Sequence, residues 1–122
     1  MNYQVGNYIS TEYGELPIKH VVFDSYQVTG KDGRILWANK VEPIKLTNEW
    51  CLKFMVLFGD QENSTIYCLN KFFICYDKTD LVYYWIPSPE IKGSDIYYIE
   101  YVHELQNLYF VLKRQKLKPI NA

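Results

Sequence analysis

Two hydrophobic spacings alternate along this 122-residue chain, one close to two and one between three and four. The first third follows the shorter period. "VGNYIS" alternates weakly, and "IKHVVFDSYQVTG" is rich in β-branched and aromatic residues. "RILWANK" answers it across Lys31-Asp32-Gly33. Asp and Gly tolerate the positive φ of a tight turn, so the pattern predicts a hairpin within a small curled sheet or partial barrel. Pro43 breaks that pattern, and "LTNEWCLKFMVLF" takes helical spacing. Thr47 is placed to cap its N-terminus, Glu49 lies in the first turn, and Leu46 can staple the entry. Trp50, Phe54 and Leu57 recur at i, i+4, i+7, and Gly59 offers a stop. The spacing predicts a helix over 48–58.

From 65 to 101 the shorter period returns in "TIYCL", "FFICY", "LVYYWI" and "DIYYIEYV". An antiparallel meander is expected, turning at "DKTD" (77–80) more readily than at Asn70-Lys71, which lacks glycine. "PSPEIKGS" (87–94) reads as its longest loop. Both faces of the meander are apolar: Tyr83 and Trp85 point one way, Val82, Tyr84 and Ile86 the other. Strands of that kind are covered on both sides or present an aromatic face to a partner.

The chain then runs through "VHELQNLYFVLKRQKL" (102–117). Its "QNLYF" nearly spells a protease-cleavage scar, but no Glu precedes Asn107, and Val111 stands where Gln is required. Leu105, Leu108, Tyr109 and Leu112 recur at i, i+3, i+4, i+7, which predicts a helix packed on the meander with Leu105, Leu108 and Leu112 facing the core. Lys113, Arg114 and Lys116 gather where cations complement the helix dipole. The fold class expected is α+β: a strand-rich N-terminal module, one central helix, an antiparallel meander and a C-terminal helix. A single domain spans 1–122.

Composition narrows this picture. Hydrophobic residues make up 48% and charged residues 22%, which is ordinary; aromatic residues reach 17%, with twelve Tyr, which is not. Residues 1–100 hold nine Lys/Arg against thirteen Asp/Glu, and 101–122 hold four against one. The one basic run, "KRQKLK" (113–118), is explained by its helix end, so duplex DNA is not an expected partner. No basic region followed by an apolar run opens the chain, and no stretch is long enough to span a membrane. Cys51, Cys68 and Cys75 form an odd set without metal-ligand spacing, which points to buried thiols and a reducing compartment. Cytoplasmic localisation is expected.

Three stretches carry a resemblance: "VGNYI", "VEPIKLTNEWCLKF" (41–54) and "YYIEYVHELQNLYFVL" (97–112). They resemble a family of small uncharacterised proteins of phages, prophages and mobile elements in gut bacteria. The octet from His103 to Phe110 is its most specific part; "KRQKL" departs from the family's usual ending. The resemblance implies an origin, and with it the cytoplasm of a host bacterium, and no mechanism.

Chemistry is sparse. No Gly-rich phosphate loop, HExxH pattern or GxSxG serine is present, so no catalytic residue, metal ligand or cofactor is assigned. Cys75, within "FFICYD", is expected to be inert. His103, Asn107 and Arg114 share a helical stripe with Phe110, able to hold a phosphate or carboxylate or merely to fix how the helix docks. With Tyr83 and Trp85 they form the candidate binding set. The leading expectation is a non-enzymatic binding protein acting on a host protein or by self-assembly, as a homo-oligomer. The alternative sequesters a nucleotide-like signal and so counters bacterial defence.

Overall fold

The computed structural model describes residues 2–88 and 97–120. It is α+β, with ten strands in two antiparallel five-stranded sheets and two helices among the described residues. The chain falls into two compact units, 1–45 with 101–116, and 46–100 with 117–122.

In the first unit the sheet order is β4-β3-β2-β1-β5, formed by Tyr8–Thr11 (β1), Gly14–Val22 (β2), Ser25–Thr29 (β3), Ile35–Ala38 (β4) and Val41–Glu42 (β5). The hairpin expected at Lys31-Asp32-Gly33 forms, with Thr29 opposite Ile35 and Gly33 at φ 84°. A second turn, at Phe23-Asp24, was not legible in the sequence. Val22 pairs with Ser25 across it, leaving a two-residue loop that opens on Phe23 at φ 55°. A bulky residue held left-handed costs about 1–2 kcal/mol, which is why such turns favour Gly, Asn or Asp. Ile9, Leu16, Ile18 and Val28 form the core on one face, with Tyr3, Tyr26, Leu36, Ala38 and Val41 packed around them.

Val102–Lys113 (α2) belongs to this unit and packs on β1. Its carbonyl-poor start is tied down twice: the Glu104 carboxylate accepts from the Tyr101 N–H at 2.9 Å, and Val102 donates to the Ile44 carbonyl at 2.8 Å. The expected buried face is also corrected. Val102, Leu105, Gln106 and Tyr109 are buried, while Leu108 is only half-buried and Leu112 is 45% exposed. The i, i+3, i+4, i+7 stripe begins at Val102, three residues before the all-leucine register, because polar Gln106 belongs to it. The helix ends at Lys113, four residues short of the expected end, with Arg114 as a left-handed cap at φ 58°.

In the second unit Asn48–Phe54 (α1) starts as expected: the Thr47 hydroxyl accepts from the Trp50 N–H at 3.3 Å, and Leu46 is buried. It stops four residues before the expected end. Val56–Asp60 (β6) takes over, so Leu57 and Gly59 lie on a strand, with a bulge between them. β-Branched Val56 and the gain of a sheet partner outweigh the helical spacing of Leu57. Ser64–Leu69 (β7), Phe72–Asp77 (β8), Val82–Ile86 (β9) and Tyr97–Ile99 (β10) follow as the expected meander, in the order β10-β9-β8-β7-β6. Asn70-Lys71 does make a two-residue turn, both residues at positive φ (50° and 62°). "DKTD" turns too, the Asp77 carboxylate accepting from the N–H groups of Thr79 and Asp80. Of the expected 87–94 loop, all but Pro87 and Ser88 lies outside the described residues.

Candidate functional site

In the first unit, the candidate stripe on α2 is spent on docking the N-terminal segment. Gln106, buried, accepts from the Tyr8 N–H at 2.8 Å and donates to the Gly6 carbonyl at 2.9 Å. Asn107 accepts from the Asn7 amide at 2.9 Å, and Asn7 in turn accepts from the Gln4 N–H. His103 is buried, edge-on to Tyr3 at 4.9 Å and stacked on Tyr101 at 5.8 Å, and its Nδ1 makes no hydrogen bond. Burial holds the His103 pKa below its usual value, against the opposing pull of the Glu104 carboxylate. Arg114, the last residue of the stripe, is an exposed cap. The stripe thus buries His103, ties half-buried Asn107 to the N-terminal segment and leaves Arg114 exposed.

In the second unit the meander carries two unlike faces. Directly paired residues on neighbouring strands share a face, so the register sorts the side chains. Leu57, Tyr67, Ile74, Trp85 and Tyr97 form one row, and Thr65, Tyr76, Tyr83 and Ile99 the next. The first helix packs on this side against β6 and β7, while at the edges Leu57 and Tyr97 stay 52% and 54% exposed. Trp50, Cys51 and Phe54 are buried, and the Tyr67 hydroxyl donates to the Asn48 side chain. Burial pushes the Tyr67 phenol up to about 12 and raises those of Tyr83 and the Cys51 thiol as well. Tyr83 and Trp85, two of the sequence-derived candidates, therefore lie half-buried on the face where the first helix packs.

The opposite face has two apolar rows. Val56, Cys68, Phe73 and Ile86 make the first, and Ile66, Cys75, Tyr84 and Tyr98 the second. Phe58, at the bulge, packs edge-on against Phe73 at 5.3 Å. Cys75 and Ile86 are buried in the middle, Cys75 hydrogen-bonded to Tyr84, whose phenol that contact and burial raise to about 12. The flanks are open: Val56 is 55%, Phe58 56% and Tyr98 60% exposed. All three cysteines are free.

Tyr84 and Ile86 lie on the second face that alternation predicts for the meander, whereas Val56 and Phe58 fall within the helix expected over 48–58 and lie instead on β6. Their signal was the run "VLFGD", continuing an apolar pattern past the point where α1 ends. No described helix is long and apolar enough to cross a membrane, and no metal-binding group of His, Cys, Asp or Glu occurs among the described residues. The chain matches no family model, no curated protein and no solved structure.

Proposed function

We propose that the chain is a non-enzymatic binding protein that meets a protein partner through the open face of its second sheet. The observation supporting this is the pair of apolar rows with exposed Val56, Phe58 and Tyr98. Exposed apolar surface that spans several strands is uncommon on a soluble monomer and marks interaction sites. Aromatic side chains suit such a surface, because they cover area with few rotatable bonds. The phage-type resemblance makes a host protein one class of partner; a second copy of the chain is the other.

A photo-crosslinking residue placed at position 58, with one at Leu52 on the exposed side of α1 as control, tests the reading. Irradiated cells should yield a discrete adduct from position 58 and none from position 52, with the partner identified by mass spectrometry. Equal, diffuse labelling from both positions would overturn it.

A further inference from the structure

We propose that the tip of the β2–β3 hairpin is a second recognition element, in which Phe23 enters an apolar pocket of a separate protein and Asp24 meets a cation at the pocket's rim. It lies in the first unit and stands independently of the open face on the second sheet.

Exposure and backbone conformation both single out Phe23. Every residue from Lys19 to Ser25 is exposed, so the end of this hairpin stands clear of the unit's core, and the Phe23 ring is 96% exposed. Val21 and Val22 beside it are exposed as well, which makes the tip apolar. Val22 pairs with Ser25, and of the two loop residues only Phe23 has a positive φ, at 55°. Glycine is the residue that this position favours in a two-residue turn. An exposed ring returns little packing to the fold in exchange for that strained backbone. Strain of this kind concentrates at functional elements, where the strained residue serves binding or switching. A turn of two residues also fixes the ring's direction, so little freedom is lost when the ring is seated. An aromatic anchor held in a desolvated pocket is the usual energetic centre of a protein interface.

The neighbouring residues choose the partner. Asp24 is exposed, and no hydrogen bond or ion pair joins its carboxylate to the described residues. Sinking Phe23 into a bilayer would carry that carboxylate into the interface, where desolvation is costly and anionic lipid repels it. Lys19 is the one Lys or Arg in the exposed stretch, too little to offset this. A protein pocket instead buries the ring alone and can set an Arg or Lys at its rim against Asp24. Seating the tip in a second copy would be a head-to-tail contact, which propagates into filaments unless it closes into a ring. A separate protein ends the contact at one to one.

Benzoylphenylalanine at position 23 keeps an aromatic ring there and crosslinks on irradiation. In cells it should give one discrete adduct, whose partner is then purified and titrated against the full chain. Phe23→Asn should weaken that binding about tenfold or more, while denaturant unfolding shows no loss of stability. Phe23→Leu, which keeps apolar bulk, should retain most of the affinity. Asp24→Lys should weaken binding most at low salt, because the reversed charge then faces the rim cation unscreened. The wild type should not sediment with vesicles of phosphatidylcholine, with or without phosphatidylserine. Equal affinity of wild type and Phe23→Asn, or no adduct from position 23, would overturn the anchor. An Asp24→Lys effect indifferent to salt would overturn the rim cation. Phe23-dependent sedimentation with vesicles would put lipid in place of the protein, and an adduct of twice 14.6 kDa would put a second copy there.

Discussion

Replacing Gln106 with methionine should destabilise the first unit by about 2–4 kcal/mol. Gln106 is buried, and its two ends serve two backbone groups of the N-terminal segment, the Tyr8 N–H and the Gly6 carbonyl. A net hydrogen bond contributes about 0.5–1.5 kcal/mol, and a backbone group left without its partner in a buried setting costs about 1–3. Methionine keeps the volume and the helical propensity, so the loss isolates the two polar contacts. Denaturant unfolding gives the total. Native-state hydrogen exchange at the Tyr8 amide gives the local part, and about 2 kcal/mol corresponds to roughly thirtyfold faster exchange. Gln106→Glu refines the test. Its carboxylate can still accept from Tyr8 but faces the Gly6 carbonyl, so burial and that carbonyl raise its folded pKa. The variant should be weak at neutral pH and recover as pH falls through the raised value, since the protonated acid again donates. Stability within about 0.5 kcal/mol of wild type for both variants, with Tyr8 protection unchanged, would refute the clamp.

Three further outcomes follow from the same geometry. Leu105→Ala should cost about 2–5 kcal/mol in denaturant unfolding, and Leu112→Ala less than about 0.5, because only Leu105 is buried; equal costs would restore the all-leucine register. Phe23→Asn should stabilise the chain by about 1 kcal/mol when measured at high dilution, because the ring is 96% exposed and its left-handed backbone suits asparagine; a loss of stability would show that the ring has a packing role. His103 has a folded pKa below its ordinary 6.5, so the unfolded chain takes up the proton first. Stability should therefore be unaffected by this group at pH 8 and fall as pH drops below about 6.5. His103→Gln should flatten that limb, whereas Asp60 and Glu12, whose pKa values are lowered by hydrogen bonds, act only at more acid pH.

The sequence by itself determined the kinds of element and most of their order. Period-two runs became strands, and the Thr47 cap, the Asp-Gly hairpin and the meander stand where the residues put them, because these are choices made by neighbours a few positions apart. Tertiary structure decided the endings and the faces. Helical spacing continues through Leu57, yet β6 begins at Val56, since pairing with β7 offers those residues a sheet that no local pattern reveals. On α2 the leucines suggested one buried stripe, and the fold chose another containing Gln106 and His103, because the N-terminal segment nearly a hundred residues away supplies the groups that Gln106 satisfies. Tyr83 and Trp85 could be assigned to one face of β9 from alternation alone. Which of its two apolar faces α1 packs on is set by register across five strands and by the Asn48–Tyr67 contact. Periodicity states that a strand has two sides; only long-range packing states which one meets water.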